Sequence, residues 1–174
     1  MLKPIHGLAG LMMLLLAACN LGDVEISSGG AGSTQAPSGG ELAEVVRVID
    51  GDTIDVRLNG TVERVRYVGV NTPERDEACY REATEANRRL VEGQMVRLAR
   101  DVSERDRFDR LLRYIYVGET FVNRELIVQG YAEVVRYDPD DEYWEEFRDL
   151  EQAATRAGRG CHPTGIFNDG SYTR

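Results

Sequence analysis

Three short runs rich in β-branched residues crowd into residues 44–70: "EVVRVID" (44–50), "TIDVRL" (53–58) and "TVERVRYVGV" (61–70). Gly51 sits between the first two, and the pair Asn59–Gly60 separates the second from the third. Asn-Gly between two alternating runs is a strong hairpin signal, because both residues accept the left-handed backbone of a tight two-residue turn. In the third run Val62, Val65 and Val68 mark a bent or bulged strand, with Gly69 as the kink. "MVRLA" (95–99) and "LLRYIYV" (111–117) bring the strands to five.

Helical periodicity fills the gaps. Residues 80–92 place Ala83, Ala86, Leu90 and Val91 on one stripe, stopped by Gly93. A second helix spans 121–129 and ends at Gly130. A third spans 140–157, with Tyr143, Phe147, Leu150 and Ala154 on one face, Asp at its start and Gly158 at its stop. Trp144 is assigned to the core. Three strands, a helix, two strands and two helices make an α+β chain that is mainly β. The natural candidate is an OB-fold five-stranded barrel with three α-helices.

The ends of the chain read differently. "MLKPIHGLAGLMMLLLAAC" has a charged start, a short apolar run from Leu8 to Ala18, small residues and then Cys19. That order is a secretory signal over 1–18, too short to span a bilayer comfortably. "LAAC" resembles the lipobox of bacterial lipoproteins, which implies cleavage before Cys19 and a lipid on Cys19. Residues 19–41 are Gly- and Ser-rich and read as a flexible tether. The folded domain is then 42–160, with a C-terminal tail over 161–174. The expected location is exported and extracytoplasmic, lipid-anchored to the cell membrane or outer membrane. The chain is expected to be a monomer that touches the membrane only through that lipid.

With Cys19 assigned to lipid, Cys79 and Cys161 remain. An even pair in an exported protein suggests a disulfide, with two free thiols as the alternative. His162 stands alone and is read as exposed and unconnected with chemistry. The formal net charge is −9, and the only Lys is Lys3. Such a chain has no general electrostatic grip on nucleic acid. A nucleic-acid enzyme built this way needs its arginines concentrated at the site, or a metal.

Polar residues gather at strand ends. "DGD" (50–52) sets two carboxylates around a glycine, and Asn71, Thr72 and Glu74 form a second cluster. Arg66 lies on the strand leading to it, and "ERDRFDR" (104–110) precedes the fifth strand. Asp52, the Asn71 side-chain oxygen and the Thr72 carbonyl are oxygen donors of the kind that suit a hard cation such as Ca2+. Phosphodiester hydrolysis uses such a metal, a base to position water, and guanidinium groups to hold phosphoryl oxygens. Glu74 could be the base, with Arg66 and Arg110 as the clamp. Singly, each piece is an ordinary turn, charged loop or surface pair.

Jointly, "VIDGDTIDV", "RYVGVNTPE", "DRFDRLLRYIYV" and "FVNRELIVQGYAEV" resemble the signature stretches of the thermonuclease, or staphylococcal-nuclease-like, family. The resemblance covers about 44–158. It implies an OB-fold barrel and a calcium-dependent endonuclease that hydrolyses DNA and RNA to 3′-phosphate ends. Position by position it implies Asp52, Asn71 and Thr72 as metal ligands, and Arg66, Glu74 and Arg110 as catalytic residues. It implies Asp106, Arg107 and Tyr137 as nucleotide contacts and Asp50 as a carboxylate supporting the metal site. Three residues depart from the staphylococcal pattern: Asn71 stands for Asp, Phe108 for Tyr, and Asp109 for Gly. Asp109 is compatible with a left-handed turn. Cys79 and Cys161 have no counterpart in that pattern, and a bond between them would tie the tail near the site loop. The competing reading is a non-catalytic OB-fold module that binds nucleic acid or protein. Loss of the arginines or of Glu74 would be its mark, and all are present.

Overall fold

The computed structural model describes residues 39–168. The signal segment, Cys19, most of the tether and the last residues of the tail lie outside the described residues.

Among the described residues eight strands and three α-helices follow in order: β1 (Glu41–Val48), β2 (Thr53–Leu58), β3 (Thr61–Tyr67), β4 (Val70–Asn71), α1 (Tyr80–Val91), β5 (Met95–Ala99), β6 (Leu111–Val117), β7 (Thr120–Phe121), α2 (Val122–Val128), β8 (Glu133–Val134) and α3 (Trp144–Arg156). β1, β2 and β3 form an antiparallel meander, and Asn59 and Gly60 both take positive φ (50° and 87°) at its hairpin. β1 also pairs with β5, β5 with β6, and β6 returns to pair parallel with β3. That last pairing closes the sheet into a five-stranded OB-like barrel. Its interior is filled by inward-pointing residues such as Ile54, Val56, Val65, Val96, Leu98 and Ile115, all at most 1% exposed.

The expected bulge in the third run lies elsewhere. β2 and β3 pair without a shift, and the register slips instead in β1 between Val45 and Arg47. The run 61–70 does not bend but breaks: after Tyr67 the chain leaves the barrel, and β4 pairs with β8. Buried Asn123 on α2 bridges the break. Its Nδ2 donates to the Val68 carbonyl at 2.9 Å and its Oδ1 accepts from the Ile115 amide at 2.9 Å. Unpaired buried backbone groups are thereby satisfied.

α3 starts at Trp144 rather than 140, and Tyr143 rather than an Asp precedes it. Residues 137–140 are taken up by a bridge between Tyr137 and Asp140. Buried Asp140 accepts the Val102 and Ser103 amides at 2.9 and 2.7 Å, which binds that turn to the loop before β6. Trp144 is partly buried, packed against the core with Arg148 over its ring. Phe147 is fully buried amid Tyr114, Phe121 and Tyr143.

β1 begins at Glu41, inside the stretch read as tether. The first residues of the C-terminal tail are folded: His162–Thr164 form a short 3-10 turn, and the Cys161 amide donates to the Gly130 carbonyl. His162 is half-buried rather than exposed, its ring 5.2 Å from that of Phe167. Cys79 and Cys161 form a disulfide that joins the start of α1 to the chain beyond α3. No helix among the described residues is long and apolar enough to cross a membrane.

Candidate active site

The turn between β1 and β2 is built around a close approach. A side chain at Gly51 would meet the Thr72 Cβ and Oγ1 at 2.6 Å, so only glycine lets this turn reach Thr72. The contact it permits is the central one of the site. The Thr72 amide and hydroxyl both donate to Asp52 Oδ2, at 2.8 and 2.9 Å. Thr53 donates its hydroxyl to Asp52 Oδ1 at 3.0 Å, and Arg66 Nε lies 3.3 Å from the same oxygen. Asp52 is thus buried with every lone-pair direction addressed, as a buried carboxylate requires.

Asp50 closes the turn by accepting the Asp52 amide at 3.2 Å. Burial, reinforced by the neighbouring Asp52 carboxylate, pushes its pKa up to about 6. Helix α1 props this turn from behind. Asn87 donates to the Asp50 carbonyl at 2.9 Å and accepts the Tyr67 hydroxyl at 2.9 Å.

Arg66 leaves β3 beside this turn and is 5% exposed. Its Nη1 donates to the carbonyls of Tyr67 and Val70, at 2.8 and 2.7 Å, and its Nη2 donates to Asn71 Oδ1 at 3.2 Å. Burial works against its charge, but Asp52, Tyr137, Asp50 and Glu74 outweigh that and raise its pKa. Its guanidinium carbon lies 5.8 Å from the centre of the Tyr137 ring. Asn71 passes its other amide face to Glu133, Nδ2 to Oε1 at 2.8 Å.

The second arginine is held by its own loop. Asp106 Oδ1 accepts the amides of Phe108 and Arg110, at 2.9 and 3.0 Å, and Oδ2 accepts Arg110 Nε at 2.6 Å. Burial of Asp106 is outweighed by these bonds, and its pKa is held below the ordinary value. Asp109 has φ of 64°, the left-handed geometry anticipated for the residue before Arg110. Phe108 is 64% exposed, with Arg107 and Arg110 packed over its ring at 4.7 and 5.3 Å.

These parts converge on one open groove of about 510 Å3, lined by Arg66, Asn71, Glu74, Asp106, Arg107, Phe108, Arg110 and Tyr137. Asp52 and Thr72 are not among its lining residues, and Asp52 meets its wall through Arg66. Glu74 sits on the exposed rim, its amide donating to Glu77 at 2.7 Å. The anticipated nucleotide contacts Arg107 and Tyr137 line the groove. Asp106 lines it as well, with its carboxylate engaged within its own loop, where it aims Arg110.

Among the described residues no three His, Cys, Asp or Glu side chains form a metal cluster. The donors available are one carboxylate, one amide oxygen and a backbone carbonyl. All are hard oxygens, backed by the carboxylates of Asp50 and Glu133, and that chemistry fits a hard divalent cation. Arg66 and Thr53 hold one Asp52 oxygen and Thr72 the other, so a cation bound there would take over an oxygen already engaged.

Two contributors carry weaker sequence signals. Glu133 is a lone carboxylate inside the apolar run "YAEVV", and Asn87 is a polar residue beside the apolar stripe of α1. In each case a polar group in an apolar pattern was the available sign.

Comparison with known proteins adds to this geometry. The model of the staphylococcal nuclease homologue family matches residues 64–161. That span holds Arg66, Asn71, Thr72, Glu74 and Arg110 but stops short of Asp50 and Asp52. A thermonuclease of Staphylococcus hyicus is 37% identical over 120 residues, covering 66% of this chain and 69% of that one. The endonuclease YncB of Bacillus subtilis (strain 168) is 37% identical over 134 residues, 71% of this chain and 64% of that one. The SPbeta prophage-derived endonuclease YokF of the same organism is 37% identical over 124 residues, but the match spans only 42% of its length.

Proposed function

From the premise that the chain belongs to the staphylococcal nuclease homologue family, we propose that it is a metal-dependent phosphodiesterase. It acts as an endonuclease on DNA, RNA or both, uses Ca2+, and leaves 3′-phosphate ends. The relatives named thermonuclease and endonuclease support the nuclease reading. The observation that carries it here is the convergence of Arg66, Glu74, Arg110 and Tyr137 on one groove.

Asp52, Asn71 and the Thr72 carbonyl are the residues that would hold the cation. When bound, Ca2+ supplies Lewis-acid polarisation of the scissile phosphate. The rest falls to the side chains. Glu74, on the open rim, accepts a proton from the attacking water. Arg66 and Arg110 donate to the phosphoryl oxygens as charge builds on them. Both are already aimed, Arg66 by backbone carbonyls and Arg110 by Asp106, so little reorganisation accompanies the reaction. Tyr137 and the Phe108–Arg107 pair offer flat surfaces for a base or sugar. The chain as a whole is acidic, so substrate affinity concentrates in this arginine-lined groove.

The proposed setting is the cell envelope, outside the cytoplasm, through a lipid on Cys19. The order of charge, apolar run, small residues and Cys supports it.

Glu74→Gln tests the chemistry. Turnover should fall by about 10²–10⁴-fold with the thermal midpoint unchanged, the usual share of a general base. An unchanged rate removes Glu74 from the reaction.

A further inference from the structure

We propose that Glu133 is a positioning residue: it fixes the Asn71 amide with its oxygen turned toward Arg66 and Asp52, and it supplies the negative charge that a neutral amide ligand does not. The inference rests on the reading of Asn71 as a metal ligand.

The placement is built into the backbone. β4 and β8 pair antiparallel with Asn71 opposite Glu133. Both side chains are buried, at 4% and 2% exposure, and Glu133 is flanked in sequence by buried Ala132 and Val134. A carboxylate in such a place is unfavourable unless hydrogen bonds answer it, so its presence calls for a reason.

The two neighbours of Asn71 leave its amide a single orientation. A guanidinium only donates and an ionised carboxylate only accepts. Arg66 Nη2 meets Oδ1 at 3.2 Å, and Nδ2 meets Glu133 Oε1 at 2.8 Å. Turning the amide over would set N–H groups against the guanidinium and oxygen against the carboxylate, two repulsive contacts in a buried site. Glu133 therefore holds Oδ1 on the side of Arg66, and Arg66 lies 3.3 Å from Asp52 Oδ1. The amide dipole, polarised by the carboxylate behind it, presents a more negative oxygen to a cation. Partners one bond behind a metal ligand commonly act in this way.

The arrangement changes what Asn71→Asp does. A second carboxylate at position 71 would face Glu133 at hydrogen-bond distance in place of the donor amide, an unfavourable pairing in a buried site. The unbound protein should lose stability. Exchanging the pair, Asn71→Asp with Glu133→Gln, restores one donor amide facing one carboxylate.

The test uses the full chain and its three variants: Glu133→Gln, Asn71→Asp and the double exchange. Thermal midpoints are measured in chelator, and CaCl2 is titrated by calorimetry. Glu133→Gln should weaken calcium binding by about 10–100-fold, and the double exchange should recover most of that loss. In chelator, Asn71→Asp alone should melt earlier, and the double exchange should regain the midpoint. Unchanged calcium affinity in Glu133→Gln, even with a lower midpoint, would make Glu133 merely structural and overturn the proposal. Losses that simply add in the double variant would overturn it as well. A parent chain that takes up no calcium sinks the metal reading instead, and the chelator series alone then decides whether Glu133 orients Asn71.

Discussion

Replacing both Cys79 and Cys161 by Ala should destabilise the domain without disabling its site. The bond closes a loop with a sequence separation of 82 residues. Chain-entropy arithmetic for a loop of that size gives about 4.5 kcal/mol at 25 °C, exerted through the unfolded chain. A compact unfolded state lowers the figure, so about 3–4.5 kcal/mol is expected. Against a typical domain stability of about 5–15 kcal/mol, the variant stays folded at room temperature but nearer its limit. Urea unfolding of parent and variant measures the difference. The m-value should rise in the variant, since an uncrosslinked chain exposes more surface on unfolding. The site should keep its geometry, because Asn87 holds the Asp50 carbonyl through α1 itself. Cleavage well below the melting range should therefore match the parent. A loss under about 1 kcal/mol would refute the loop argument. A large loss of activity in the folded variant would refute the claim that the bond acts mainly on the unfolded chain.

Other consequences are local. Gly51→Ala should lower stability by about 1–3 kcal/mol, as overpacking does, and lower cleavage too, because the new methyl group displaces Thr72 from Asp52; urea midpoints and initial rates check both. Asp55 is buried, which alone would raise its pKa, yet hydrogen bonds from Arg64 and Arg47 hold it below its ordinary value. Its folded pKa is depressed, so its contribution is full above about pH 4 and is lost as pH falls further through the folded value. Asp55→Asn should therefore flatten the acid limb of the stability curve, and an unchanged limb would remove Asp55 from acid unfolding. Asp106→Ala should reduce cleavage while calcium binding is retained, since it frees Arg110 from its aim without touching Asp52; equal loss of both would place Asp106 in the metal site.

The barrel was legible because its strands are long enough to show a period. Alternation in the sequence of β2, with Asn59–Gly60 between β2 and β3, specifies pairing and register together. β4, β7 and β8 have two residues each, and no period survives in so short a segment. That is why 61–70 read as one bent strand. The start of α3 was misplaced because the acidic residues ahead of it resemble a helix start, while Asp140 is in fact used to bind the 102–103 amides.

The site shows the same division. Arg66, Glu74 and Arg110 fall in recognisable stretches, Tyr137 lies just beyond one, and all four line one groove. What holds them was hidden, because it depends on contacts distant in sequence. Asn87 reaches the 50–52 turn across 37 positions, and Glu133 reaches Asn71 across 62. Asp106 shows a second role that the sequence did not display: it braces Arg110 from within the loop. A carboxylate beside an arginine in a loop reads equally as a ligand contact or as the brace of that arginine, and the brace becomes visible only in the three bonds it makes inside the loop.

The most direct measurement is cleavage of plasmid and single-stranded DNA by the purified chain, in CaCl2 and then in excess chelator, with Arg110→Ala prepared in parallel. The account predicts cleavage in calcium, none in chelator, and a fall of about 10²–10³-fold in the variant, as for removal of one transition-state donor. A folded parent that leaves both substrates intact at every calcium concentration would contradict it, as would cleavage that Arg110→Ala leaves untouched.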